Sequence, residues 1–160
     1  MSTAARSRGA ELRIHAMSPF LAFKDSSAAI SFYIKALGAS ERFRLTSQDG
    51  ARVDHAEITI GDQAFFLCDE YPDFGALSPL SLGGSPVKFH LSVDDCDAWV
   101  ARAEGAGATV LRRPKLEFFG ERTALIADPF GYSWFFATPV EEVSPAEMQR
   151  RWQAALKGEA

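Results

Sequence analysis

The sequence predicts an α+β fold in which two βαβββ modules pair into a curved sheet or partial barrel around a cup, with a C-terminal helix appended. Three observations predict it. The segment Phe20-Leu21-Ala22-Phe23-Lys24-Asp25 resembles Phe89-His90-Leu91-Ser92-Val93-Asp94 at an offset of 69, and self-similarity at a long fixed spacing marks a repeated structural unit. Carried forward without gaps, that offset sets Ala28, Ala29, Gly38 and Ala39 on Asp97, Ala98, Gly107 and Ala108. It also brings "DQAFFLC" (62–68) within one residue of "FGYSWFF" (130–136), so each unit reads strand, helix, strand, strand, strand.

The elements follow in order. "SPFLAF" is a short apolar strand whose Pro sits at its edge, where a missing ladder donor costs least. Asp25 and Ser26 are short polar N-cap residues. Ala29, Phe32, Tyr33, Ala36 and Leu37 then recur at helical spacing, and Gly38 supplies the left-handed stop. Strands are expected over Ser40–Thr46, Asp54–Ile60 and Ala64–Asp69. In the second unit Asp94 or Asp95 caps a helix with Ala98, Val100, Ala101 and Ala103 on its apolar face, and Gly107 ends it. Strands over Thr109–Arg113, Thr123–Ala127 and Ser133–Thr138 complete that unit. The last is fed by "DPFG", where Pro fixes one turn corner and Gly accepts positive φ at another. Ser144, Pro145 and Glu147 stand as N-cap, N1 and N3 of a capping-box helix. Its Met148, Trp152, Ala155 and Leu156 form one stripe that must dock on this domain or on a second subunit.

These elements divide the chain into a tail (1–16), a first module (17–70), a linker loop rich in Pro, Gly and Ser (71–86), a second module (87–140) and the final helix (141–160). A net charge of −4 gives no electrostatic reason to expect a nucleic-acid or anionic-membrane partner. No run approaches the ~20 apolar residues of a membrane span. The start "MSTAARSRGAELR" lacks the apolar stretch of a secretory signal, so a cytoplasmic protein with a frayed first dozen residues is expected. Cys68 and Cys96 fit neither a disulfide framework nor a CxxC pair and read as buried small apolar side chains. Thirteen Phe residues can fill a core and still line an apolar cavity.

Two βαβββ units in one chain resemble the vicinal-oxygen-chelate superfamily of glyoxalase I, extradiol dioxygenases and the bleomycin and fosfomycin resistance proteins. "KDSSAAISFYIKALGA" (24–39) is similar to the family's D-x-x-x-x-x-x-FY-x-x-x-LG, and "ADPFGYSWFFAT" to its last strand, DPxGxxxE. "HAEITIGDQAFFLCDEYP", "SPLSLGGSP" and "VEEVSPAEMQRR" look like its PhnB-like subgroup. The resemblance spans about Met17 to Thr138 and implies the fold, not a reaction, because one fold hosts several chemistries.

The resemblance also implies four metal-ligand positions, on the first and last strand of each unit. By the family's spacing they fall at Ser18, at Lys88, at Leu67 give or take one residue, and at Phe135. Imidazole, thiolate or carboxylate donors are needed there, and none of the four residues supplies one. No cofactor is therefore predicted. A divalent metal has one non-standard route: His55 and Glu57 alternate onto one strand face, and His90 shares a face with Lys88. His15 lies before the first strand and reads as a tail residue. Asp69, Glu70 and Asp73 read as strand-end carboxylates, and Arg112, Arg113 and Lys115 as turn and surface charge. In "LEFFGER" Phe118, Phe119 and Arg122 either close over the cup or are simply packed.

Three functions remain open at this point. The first is a protein binding a small apolar or aromatic ligand in a cup lined by Phe20, His55, Leu67, Lys88, His90, Phe119, Arg122, Trp134 and Phe135. The second is a lyase, isomerase or dioxygenase-type enzyme, with His55, Glu57 and His90 as metal ligands or with His55 or His90 as general base. The third is a dimer whose cup is filled by its own side chains. Open strand edges need cover, so a homodimer is expected, with the modules pairing within one chain or between two.

Overall fold

A computed structural model describes residues 12–158. It has eight strands, β1 (Phe20–Phe23), β2 (Ser40–Thr46), β3 (Val53–Ile60), β4 (Gln63–Asp69), β5 (Lys88–Ser92), β6 (Thr109–Leu116), β7 (Glu121–Ala127) and β8 (Ser133–Pro139). The helices are α1 (Ser26–Leu37), α2 (Pro79–Leu82), α3 (Cys96–Ala106) and α4 (Pro145–Leu156). The strands form two four-stranded sheets, ordered β1-β4-β3-β2 and β5-β8-β7-β6. In each, the first strand runs parallel to the last and the other pairs are antiparallel. The fold is thus α+β with two mixed sheets and a C-terminal helix, and neither sheet closes into a barrel. The expected first-dozen fraying falls almost entirely on residues outside the described range.

The helices begin and end for local reasons. The Asp25 and Asp95 side chains accept from the backbone N–H three residues on, at 2.9 and 3.0 Å. Gly38 and Gly107 close α1 and α3 at positive φ. Asp95, not Asp94, is therefore the second cap, so the repeat offset is 70 ahead of the helices. It becomes 69 after them, because α3 is one residue shorter than α1. In this frame Phe20 corresponds to His90, and Ser26 to Cys96 at the first helical position. The buried face of α3 is Cys96, Val100 and Ala103, spaced by four and three, rather than Ala98 and Ala101, which are exposed. Ser144 caps α4 as expected.

α1 packs across the first sheet, α3 across the second, and the two helices pack on each other. One continuous core lies between the sheets, with Phe23, Tyr33, Ile58, Leu67, Ile126, Trp134 and Phe136 almost wholly buried. Rings cross the module boundary: Phe65 of β4 lies 5.5 Å from Phe89 and 5.9 Å from Trp134. Polar contacts cross it too. The Tyr132 hydroxyl donates to the Ala22 carbonyl at 3.1 Å, and Arg102 of α3 donates to the Lys35 and Ile34 carbonyls at the end of α1.

The strongest cross-module contact centres on Asp128, in the five-residue turn between β7 and β8. Its Oδ2 accepts from the Tyr33 hydroxyl at 2.6 Å and from Trp134 Nε1 at 2.9 Å. Its Oδ1 accepts from the backbone N–H of Phe130 and Tyr132. Burial pushes this carboxyl above the ordinary carboxylate range, and the four donors oppose that shift. The linker is tied down as well. Glu70 accepts from the backbone N–H and hydroxyl of Ser78, which hold its carboxyl down at about 2. Asp69 caps α1 through the Ser26 N–H and also accepts from the Val53 N–H. Asp69 and Glu70 thus act as acceptors for backbone that would otherwise lack a partner.

Candidate functional site

Alternation along the strands sorts every candidate residue to one of two faces. The helix-covered faces take Leu67 and Trp134, both fully buried. Trp134 spends its indole N–H on Asp128. These two expected lining residues therefore belong to the core. Their neighbours Phe66 and Phe135 point the other way. The expected tolerance of one residue around Leu67 is resolved in favour of Phe66, because Phe66 pairs with Phe20 just as Phe135 pairs with His90.

The helix-free face of the first sheet is an aromatic cluster around His55. The imidazole lies 5.5 Å from Phe20, 5.9 Å from Phe43 and 5.5 Å from Phe66. It is half-buried by rings and has no hydrogen-bond partner among the described residues. Leu45 stands opposite it on β2 and is 58% exposed, and Phe20 is 56% exposed. That is a large apolar area for a single chain to leave in water. Glu57, two residues along the same face, is paired with Arg42.

The helix-free face of the second sheet is built around Phe135. His90 lies 6.4 Å from its ring, Lys88 Nζ 5.9 Å and the Arg112 guanidinium 5.8 Å. Arg112 is held from behind by Glu117 and by the Thr123 hydroxyl, 2.9 Å away. Thr123 itself is 3% exposed, so this anchor is fixed by the strand beneath it. His90 is exposed and has no hydrogen-bond partner among the described residues.

Among the described residues, no ring contact or hydrogen bond joins the His55 cluster to the His90 cluster. Among the described residues no three His, Cys, Asp or Glu side chains come together as a metal cage. His55, Glu57 and His90 therefore do not converge within one chain, and Glu57 is already engaged by Arg42. Two other expected residues lie elsewhere. Arg122 pairs with Asp97 at the start of α3, which raises the guanidinium pKa and lowers the carboxyl. Phe119 packs edge-on against Phe118, 5.2 Å away, and Phe118 stacks on Trp152 of α4 at 5.4 Å. The "LEFFGER" loop is thereby docked by the C-terminal helix, whose stripe is only partly covered, Trp152 remaining 45% exposed.

The sequence gives no signal for Phe43 and marks Arg112 only as turn and surface charge. Phe66 falls within the one-residue tolerance around Leu67. Arg112 reaches the helix-free face because the ladder with β7 shifts register between Val110 and Arg112, setting Arg112 opposite Leu125. Cys68 and Cys96 are buried and unpaired as expected, with burial pushing both thiols up.

Comparisons with known proteins agree with this architecture. The profile of the Glyoxalase/Bleomycin resistance protein/Dioxygenase superfamily matches residues 13–136. An uncharacterised protein of Mycobacterium bovis is 41% identical over 137 residues, covering 84% of this chain and 90% of its own. An uncharacterised protein of Arabidopsis thaliana is 32% identical over 117 residues, covering 68% and 69%. The X-ray structure of an Arabidopsis thaliana gene product superposes with a TM-score of 0.63 at 29% identity, covering 78% of this chain and 99% of that one. A glyoxalase/bleomycin resistance protein/dioxygenase from Nocardioides gives a TM-score of 0.64 at 19% identity over 86% and 91%, a likeness of fold alone. The chain belongs to the glyoxalase/bleomycin resistance protein/dioxygenase superfamily.

Proposed function

We propose that this protein binds a small apolar or aromatic molecule in a pocket made when the helix-free face of one module meets the helix-free face of the other module in a second copy. The observation that carries this reading is the pair of histidines. His55 sits among three aromatic rings and His90 beside one, Phe135, on the sheet faces that the helices leave open, and neither has a polar partner among the described residues. An apolar wall with a few free polar groups is the usual composition of a ligand site. The exposure of Phe20 and Leu45 supports a homodimer that covers them. Within the superfamily the chain is read as PhnB-like and cytoplasmic, consistent with two unpaired cysteines.

An enzyme using His55, Glu57 and His90 is the second reading, and it too would need two copies to bring those donors together. Light scattering and calorimetry test both. A dimeric mass at micromolar concentration is expected, together with saturable binding of the neutral probe 2-naphthamide. His55→Leu and His90→Leu should each weaken that binding about fivefold, as expected for one lost hydrogen bond. A monomeric mass would overturn the two-copy pocket. A thermal shift with Zn, Ni, Mn or Fe that His90→Leu abolishes would favour the metal-dependent enzyme instead.

A further inference from the structure

The two open faces differ in charge, and the difference points to the class of ligand. We propose that the pocket takes an amphipathic anion, its acidic group held beside Phe135 by Lys88 and Arg112 and its apolar body lying on the His55 face. This inference rests on the binding reading above. The first face presents Phe20, Phe43, Leu45 and Phe66, and its carboxylate, Glu57, is consumed by Arg42. The second face carries Lys88, Arg112 and Lys115, aligned on one side of the sheet by their strand partners Ser133, Leu125 and Thr123.

Only one carboxylate pairs with any of these cations among the described residues. Glu117 is shared by Arg112 and by Lys115, whose Nζ lies 3.6 Å away. Lys88 has no ion pair there; its ammonium touches the Phe135 ring alone. The face therefore keeps positive charge in surplus. That charge sits beside an aromatic ring that lowers the local dielectric, where a charge-assisted hydrogen bond is strongest. Arg112 is already positioned by Thr123, so little side-chain entropy would be lost when an acid binds. A carboxylate, sulfonate or phosphate monoester would satisfy this chemistry equally, whereas a cationic ligand would be repelled.

Two probes of one shape separate charge from shape: 2-naphthoate and its neutral amide, 2-naphthamide, titrated calorimetrically into the full-length protein. In the wild type the carboxylate should bind about tenfold more tightly than the amide. That preference should shrink as salt rises. Lys88→Gln should remove most of the preference by weakening carboxylate binding about tenfold more than amide binding. Arg112→Gln should do the same, and Lys88→Gln keeps the test valid if loss of the Glu117 and Thr123 contacts disturbs the fold. Equal affinity for the two probes in the wild type would overturn the anion inference and leave the pocket reading standing. Binding of neither probe would overturn both.

Discussion

The first module joins β3 to β4 through the two residues Gly61 and Asp62, whereas the second joins β7 to β8 through five, Asp128–Tyr132. The short turn is solvent-facing, and a side chain added at Gly61 would meet nothing. The long turn is buried at Asp128 and Tyr132 and reaches into the first module through Tyr33 and Ala22. Two copies of one plan have thus diverged in what their hairpins do. One merely reverses the chain, while the other fastens the two halves together. The open faces have diverged as well, one into an apolar wall and the other into a cationic one.

The sharpest way to break this comparison is to remove the acid from each turn. Asp128→Ala strands four donors in the core and should cost about 3–4 kcal/mol. By calorimetry that is roughly 6–16 °C in Tm for a chain of this size. Asp62→Ala should stay within ~0.5 kcal/mol, and equal losses would erase the distinction between the turns. The same acid sets a pH signature. Its folded pKa lies above the unfolded value, so its contribution is largest below that unfolded value and falls as pH rises through the folded one. The difference in Tm between wild type and Asp128→Asn should change across that interval and become constant above it.

A smaller contrast is expected at the turn glycines. Gly131 has φ +92°, and an added Cβ would meet the Pro79 Cβ at 2.8 Å. Gly131→Ala should therefore cost about 2–3 kcal/mol in urea denaturation. Gly61→Ala faces backbone strain alone, at φ +55° with open space around it, and should cost about 1 kcal/mol. The smallest effect is reserved for Arg122→Gln. Its ion pair with Asp97 is exposed and screened by solvent, so the urea midpoint should barely move. Binding of 2-naphthamide should not move at all. A several-fold loss of affinity would return Arg122 to the ligand site.

Most of the framework was legible because its signals are local. Asp25, Gly38, Gly107, Ser144 and the apolar spacing of α1 each satisfy a requirement of the neighbouring backbone, and each stands where its chemistry placed it. The faces were harder to read, because a one-residue slip exchanges them. "AFFLC" and "SWFFA" run aromatic and apolar residues in succession, so no period of two distinguishes Phe66 from Leu67 or Phe135 from Trp134. Only the ladder with β1 and β5 decides it. The relation between the two modules was not legible at all. It depends on Tyr33 meeting Asp128 across 95 residues, a contact no local pattern encodes.

That contact has a consequence for stoichiometry. The Tyr33–Asp128 and Tyr132–Ala22 bonds tie the β7–β8 turn of the second module to α1 and β1 of the first, and so fix the two modules of one chain against each other. If a second copy completes each pocket, two pockets form per dimer and none per monomer. Ligand occupancy is then linked to assembly by mass action, and apparent affinity must weaken on dilution below the dimer dissociation constant. A turn buried far from either face would then set the concentration at which the protein can bind at all.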